Sequence, residues 1–179
     1  MNKYIILLRG INVGGTNKVA MKDLTSALLQ AGYAEVKTYI QSGNLVLTAG
    51  NTDKQQVATS IAELIAQHFG FKPQVLVLSQ AEYSAALTAN PYKEAEATPS
   101  ALHLYFLDTK PANPDLDKLA KLKADTERYQ LNEQVFYLHA PDGIGRSKLA
   151  ATAEKALGVP ATGRNWRSAI KILELAQQD

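Results

Sequence analysis

Apolar and polar positions divide the first half of the chain into alternating strands and helices. Residues 4–9 begin with a continuous apolar run, which is typical of a buried strand. Residues 21–31 then repeat apolar side chains at helical spacing, and Gly32 offers a natural helix end. Residues 36–41 and 45–48 are two further predicted strands.

A hairpin and a second helix complete this half. Ser42-Gly43-Asn44 separates the two strands and is a hairpin signal. Asn51 to Asp53 offer N-cap oxygens to a helix whose apolar stripe includes His68, and Gly70 closes that helix. With a strand over residues 74–78, the order is β-α-β-β-α-β, which is the ferredoxin-like pattern.

The middle of the chain contains a third helix and a linker. Ser79 and Glu82 have the spacing of a capping box, which predicts a helix to about Leu87. Residues 90–100 hold two prolines and several small or charged residues, a composition typical of a linker. We therefore predict a first subdomain over residues 1–88, a linker over 89–100 and a second subdomain over 101–179.

The second half begins with a similar series. Residues 102–108 are a predicted strand, and Asn113 can cap the next helix with Pro114 at its first position. The inner face of that helix holds Leu116, Leu119 and Leu122. Residues 129–131 and 135–139 are read as a short hairpin that turns at Asn132-Glu133.

The last part of the chain is predicted to be helical. Residues 149–157 are spaced for a helix that ends at Gly158, and a final helix carries Trp166, Ile170 and Leu173 on one stripe. The second half thus repeats β-α-β-β-α and ends in a helix where the first half has a strand. The fold class is α+β with two related ferredoxin-like halves, which either share one sheet or exchange an edge strand.

Composition and charge narrow the functional classes only slightly. The content of 46% hydrophobic and 20% charged residues is ordinary for a globular protein, and no apolar run approaches the ~20 residues of a membrane span. The chain has no cysteine, which excludes disulfides and thiolate chemistry and fits a cytoplasmic location. A net charge of +2 permits an anionic partner but does not require one.

The histidines give little support to metal chemistry. His68, His103 and His139 are far apart in sequence and form no metal-binding motif. We expect His68 to be packed in the core, and His103 to meet His139 only if their strands are neighbours. No metal and no cofactor are predicted.

Three segments are candidate phosphate sites, and each has a structural alternative. The loop from Gly10 to Lys18 can point backbone N–H groups at an anion, although it matches neither the P-loop nor the dinucleotide motif. Its Gly14 and Gly15 equally suit a tight turn with positive φ.

The other two segments lie in the second half. In residues 141–148, Arg146 and Lys148 stand at a helix start, where Ser147 or Asp142 can instead be a cap. In residues 162–167, Arg164 and Arg167 flank Trp166, which can stack a base or anchor the last helix in the core.

Catalytic and RNA-binding patterns are weaker. Ser42 precedes a glycine but lacks the setting of a nucleophile elbow, and no acidic pair suits acid–base chemistry. An RNA-binding sheet needs aromatic side chains on its central strands, which here means the alternating pairs His103 and Tyr105, and Tyr137 and His139. A half-buried sheet between two domains explains the same residues.

Taken together, the motifs resemble the family catalogued as domain of unknown function 1697. The resemblance rests on residues 8–15, 18–21, 38–44, 143–149 and 164–166, and it covers nearly the whole chain. A mild departure occurs at Ser168-Ala169, where the family has threonine and then a branched aliphatic residue. The resemblance implies two related ferredoxin-like or RRM-like subdomains that exchange N-terminal strands, and it supplies no reaction, cofactor or catalytic residue.

The favoured hypothesis is binding of a phosphate-bearing ligand, either nucleic acid or a nucleotide, at one basic surface formed by the motif loops of both halves. A protein-interaction module with architectural motifs is the alternative, and an enzyme acting on a small anionic metabolite is the third. The oligomeric state and any catalytic residue stay unassigned. The candidate ligand-binding residues are Arg9, Asn12, Gly14, Gly15, Lys18, Ser42, Asn44, Arg146, Lys148, Arg164, Asn165 and Arg167.

Overall fold

A computed structural model describes residues 1–50 and 53–178 of the chain. These residues form two compact units. The first unit comprises Met1–Ala85 together with the described residues from Lys171 onward, and the second comprises Ala86–Ile170.

The first unit has the predicted β-α-β-β-α-β order. Its elements are β1 (Asn2–Arg9), α1 (Met21–Gln30), β2 (Ala34–Tyr39), β3 (Asn44–Ala49), α2 (Lys54–Phe69) and β4 (Gln74–Ser79). The strands form one antiparallel sheet in the order β2-β3-β1-β4. The next helix, α3 (Gln80–Thr88), follows β4 directly and begins with the predicted capping box, in which Glu82 N donates to Ser79 Oγ and Ser79 N to Glu82 Oε2.

Alternate residues of the sheet bury one face against α1 and α2. Tyr4, Ile6 and Leu8 of β1 are buried with helix residues that include Leu24 and Ile61. Burial of this apolar surface is the main force that holds the unit together.

The ends of α2 correct one prediction and support another. Asp53 is the N-cap, because its carboxylate accepts from the backbone N–H groups of Gln55 and Gln56; the other two predicted cap residues lie outside the described residues. The prediction that His68 is packed in the core was wrong. His68 is exposed in the last turn, and the neighbouring Phe69 packs against the core instead.

The second unit repeats the connectivity of the first. Its elements are β5 (Leu102–Leu107), α4 (Leu116–Leu122), β6 (Arg128–Asn132), β7 (Val135–His139), α5 (Lys148–Leu157) and β8 (Ala161–Asn165), and α6 (Trp166–Gln177) follows directly. The antiparallel order β6-β7-β5-β8 matches that of the first sheet. The fold is therefore α+β with two related ferredoxin-like units.

Strand β8 corrects the prediction that this half lacks a last strand. Its sequence has no apolar alternation, so local propensity does not mark it as a strand. Pairing with β5 over five residue pairs holds it in place. Gly163 permits the pairing to be close, because a Cβ there would lie 2.9 Å from the Tyr105 ring.

Two local predictions in this unit were also wrong. The N-cap of α4 is Asp115, whose carboxylate accepts from Lys118 N, and not Asn113. The β6–β7 turn lies at residues 133–134 and not at 132–133, because Asn132 still pairs with Val135.

The predicted linker over residues 89–100 falls inside the second unit. It contains a 3₁₀ helix over Lys93–Ala97, and the buried Asn90 bonds through its side chain to Tyr92 and Glu96. The predicted subdomain boundaries and the exchange of N-terminal strands stay predictions. Over the part of the chain that the structure describes, no helix has the length and apolar character needed to cross a bilayer.

Candidate functional site

The loop that follows β1 is a small hairpin. Val13 and Thr16 form a β-bridge, and Asn12 N donates to Asn17 O at 3.0 Å. Gly14 and Gly15 connect them with φ values of +57° and +77°, and a type I′ turn requires positive φ at both central residues. The turn explains the two glycines without a ligand.

The Asn12 side chain clamps this hairpin to its neighbours. Its Nδ2 donates to Val19 O at 2.9 Å and to Gln41 O at 2.7 Å, and its Oδ1 accepts from Val19 N at 2.8 Å. The clamp joins the loop after β1 to the loop between β2 and β3. Because both its amide nitrogen and its amide oxygen bond to backbone groups, Asn12 stabilises the fold of these loops.

The Ser42-Gly43-Asn44 segment is locked against β1. Asn44 is fully buried, and its Nδ2 donates to Tyr39 O and to Ser42 Oγ, each at 3.0 Å. Leu8 N donates to Gly43 O at 2.8 Å. A Cβ at Gly43 would lie 2.6 Å from Leu8 Cβ, so the close approach of the two strands requires glycine here.

The cations of the first unit differ in their surroundings. Arg9 is half-buried and donates to Gln74 Oε1 at 3.2 Å. Lys18 is exposed, and its ammonium makes no hydrogen bond or ion pair with residues 1–50 or 53–178. The same two loops expose two apolar side chains, Val13 at 63% and Ile40 at 50%.

The second unit brings the remaining candidates to one end of its sheet. Asn165, at the end of β8, pairs with His103 near the start of β5, and His139, at the end of β7, pairs with Leu102. The carboxyl ends of β7 and β8 therefore lie at the same end of the sheet. The segment with Arg146 and Lys148 follows β7, and α6 with Arg167 follows β8.

We call Arg146, Lys148, Arg164 and Arg167 the basic end of the second unit. The side chains of Arg146, Lys148 and Arg167 are exposed and make no hydrogen bond or ion pair within the described part of the chain. Arg164 is half-buried, and its NH1 donates to Gly163 O at 2.8 Å.

Caps and core packing account for the other residues of these segments. Ser147 Oγ accepts from Ala150 N at 3.0 Å and caps α5. Asn165 Oδ1 accepts from Ser168 N at 2.9 Å at the start of α6, and Trp166 is buried. The reading of Trp166 as an anchor is confirmed, and Asn165 is a capping residue.

The twelve candidates thus divide into two sets by unit. The set in the first unit is mostly architectural. It consists of Arg9, Asn12, Gly14, Gly15, Lys18, Ser42 and Asn44. The set in the second unit, Arg146, Lys148, Arg164, Asn165 and Arg167, keeps three cations that no described side chain neutralises.

The aromatic and histidine candidates do not form a stacking face or a metal centre. His103 pairs with Leu138 and His139 with Leu102, so the two histidines lie on opposite faces of neighbouring strands. Among the described residues, no group of three metal-ligating side chains is present. Tyr137 is buried, its hydroxyl donates to Ala86 O at 2.6 Å, and burial raises its pKa to about 12.

A surface cluster that the sequence did not predict surrounds Arg128. Its guanidinium lies 4.5 Å from the centre of the Tyr92 ring, forms an ion pair with Glu94, and lies 3.0 Å from His139 Nδ1. Partial burial and then the nearby guanidinium lower the pKa of His139, against a smaller opposing effect of Glu94. Tyr92 and His139, the two members farthest apart in sequence, are separated by 47 positions, so no local spacing marks the cluster.

An NMR titration tests this cluster. We expect His139 to titrate below its ordinary pKa, and we expect Arg128→Met to raise that pKa because a positive neighbour is removed. Arg167→Met, which removes a cation outside the cluster, serves as the control. An unchanged His139 pKa in Arg128→Met would show that the contact is absent in solution.

Two grooves of the first unit lie away from the motif residues. One, of about 480 Å³, is lined by residues of α1 and α2 such as Gln30, Glu63 and His68. The other, of about 510 Å³, is lined by residues that include Lys3, Lys54 and Glu82. Neither groove contains any of the twelve candidate residues, so neither supports the enzyme hypothesis at the predicted site.

Comparisons with known proteins agree with the fold but give no activity. The family model described as "Protein of unknown function (DUF1697)" matches residues 1–137. A solved structure of the conserved bacterial protein SP0830 from Streptococcus pneumoniae is similar, with 25% identity and a TM-score of 0.68. The similarity covers 98% of this chain and 99% of that one. No curated protein matches the sequence.

Proposed function

Since the chain belongs to the DUF1697 family, whose description assigns no reaction, we propose from the geometry that the protein binds a phosphate-bearing ligand through the basic end of its second unit. The observation that carries the proposal is a group of three exposed cations, at one end of one sheet, that no described residue neutralises. These cations are Arg146, Lys148 and Arg167. The first-unit residues contribute to this function only by maintaining the fold.

Elementary electrostatics favours a phosphate at this end. Guanidinium groups match phosphate oxygens with paired N–H donors, and an ammonium adds a mobile point charge. The start of α5 adds the positive end of a ten-residue helix dipole. Three positive charges at one end of a sheet, with no described counterion, are unfavourable to the free protein, and a bound polyanion reduces that repulsion.

Binding of an oligonucleotide tests the proposal. The probe is a fluorescein-labelled single-stranded oligonucleotide, and the variant is the double substitution Arg146→Ala with Lys148→Ala. We expect its Kd to rise at least about tenfold, because two charge-assisted phosphate contacts are lost. We also expect the slope of log Kd against log salt to become shallower by about 1–2.

A matched control distinguishes the effect of losing Arg146 and Lys148 from the effect of lowering the net charge. Lys118→Gln with Lys155→Gln removes the same charge from exposed positions on α4 and at the far end of α5. We expect the control to retain affinity. An equal loss in both double variants, or no binding of the oligonucleotide or of ATP to the native chain, would overturn the proposal. If ATP competes with the oligonucleotide, the ligand is a nucleotide. If ATP has no effect on oligonucleotide binding, the ligand is a nucleic acid.

A protein-interaction module is the second candidate function. It is favoured by the structural use of Asn12 and Asn44, which leaves the loops they brace free to present side chains. A cytoplasmic location is proposed with either function, on the basis of the cysteine-free sequence.

A further inference from the structure

Ile40 lies in an unfavourable backbone conformation at the surface of the first unit. Five non-glycine residues in the described part of the chain have positive φ, and four of them are asparagine or glutamate. Ile40, at φ +51°, is the β-branched one, and β-branched side chains are outliers in the left-handed region. Ile40 is 50% exposed, so it lies outside the buried core of the unit.

Strain at an exposed residue indicates a role other than fold stability. Asparagine or glycine adopts this conformation at lower cost, and either suits a hairpin turn better than isoleucine. Strained backbone that persists at a surface is characteristic of recognition sites. The side chain of Ile40 is therefore a candidate contact.

A second exposed aliphatic side chain lies on the adjoining loop. Val13 is 63% exposed on the hairpin after β1. The bond from Asn12 Nδ2 to Gln41 O, at 2.7 Å, joins residues that directly neighbour Val13 and Ile40 in sequence. The two loops are thus held in one arrangement before any partner binds, which lowers the entropic cost of binding.

The charge of the two loops indicates the chemistry of the partner. Residues 9–18 and 39–44 contain Arg9 and Lys18 and no aspartate or glutamate. Lys18 is exposed and makes no ion pair with the described residues. A complementary partner carries acidic side chains around an apolar anchor.

We propose that Val13, Ile40 and Lys18 form a docking surface for an acidic segment of another protein that packs an apolar side chain against Val13 and Ile40. This surface consists of first-unit residues, whereas the basic end consists of second-unit residues. It differs from that site in needing an apolar contact as well as positive charge. We call these three residues the loop-tip surface.

Peptide selection on the full chain tests the proposal. The probe is a phage-displayed library of random linear peptides, selected on the immobilised native protein. We expect enrichment of peptides in which aspartate or glutamate flanks leucine, isoleucine or phenylalanine. For the enriched peptides, Ile40→Asn should raise Kd at least about tenfold, as for a central apolar anchor. Lys18→Gln should weaken binding and reduce its salt dependence.

The same variant separates binding from folding. Ile40→Asn should raise the urea midpoint of unfolding, because asparagine tolerates positive φ, while it weakens peptide binding as stated above. The double variant Arg146→Ala with Lys148→Ala should leave peptide binding unchanged. No enriched acidic peptide, or equal binding by Ile40→Asn, would overturn the proposal. A dimer of the native chain that Ile40→Asn dissociates would overturn it in favour of a second copy as the occupant.

Discussion

Replacing Gly43 with alanine is expected to lower the free energy of unfolding of the first unit by about 3 kcal/mol. Two independent costs combine at this position. Its φ of +86° disfavours any L side chain, and the new Cβ would lie 2.6 Å from Leu8 Cβ and 2.9 Å from Ile11 Cδ1. These neighbours are fully or almost fully buried, so neither can move without disturbing the core. Urea unfolding followed through the amide signals of β1 and β3 measures the loss.

Gly14→Ala is the matched control for this effect. Gly14 has a φ of +57°, and a Cβ there would meet no atom within 4 Å. Only the conformational cost remains, so we expect a loss of about 1 kcal/mol. Equal losses in the two variants would mean that the close approach of Gly43 to β1 contributes nothing.

Replacing Asn12 with glycine should destabilise the first unit by about 2–3 kcal/mol. Glycine retains the backbone freedom that a φ of +53° demands, so the substitution removes the clamp alone. The three lost hydrogen bonds join two loops, and Val19 N, Val19 O and Gln41 O must find water instead. Urea unfolding, read from the same strand amides, gives the magnitude.

Asn12→Ala and Asn12→Asp resolve the contributions. Alanine removes the clamp and adds the cost of positive φ, so its loss should exceed that of glycine by about 1 kcal/mol. Aspartate keeps the acceptor for Val19 N but sets a carboxylate against two carbonyl oxygens. We expect it to be no more stable than glycine at this position. An aspartate variant as stable as the native chain would contradict the clamp.

The sequence predicts most of the fold because most elements carry their own periodicity. The apolar runs of β1 and β3 and the stripes of α1 and α2 mark the first unit, and Ser79 with Glu82 marks the start of α3. Strand β8 has no such signal. It is defined by its register with β5 and by the Tyr105 ring, which packs so closely on Gly163 that no side chain fits there. Its existence depends on residues about 60 positions away, which local patterns do not report.

The site was harder to predict for a related reason. Glycine and asparagine near strand ends suit both a ligand loop and an architectural turn, and only contacts distinguish the two. The bond from Asn12 to Gln41 spans 29 residues of sequence, and Gly43 is constrained by Leu8 on a neighbouring strand. The sequence does not predict the Arg128 cluster, because its members come from separate elements. The sequence predicts one ligand surface from residues of both units, and that surface and its ligand stay proposals.

We propose that the first-unit motif is architectural and that anions bind to the second unit. Oligonucleotide affinity of Asn12→Gly, measured at a temperature where the variant is folded, tests this most directly. We predict a Kd within about twofold of the native value, beside a rise of at least about tenfold for Arg146→Ala with Lys148→Ala. A tenfold loss of affinity in folded Asn12→Gly, with the second-unit double variant unaffected, would contradict the claim.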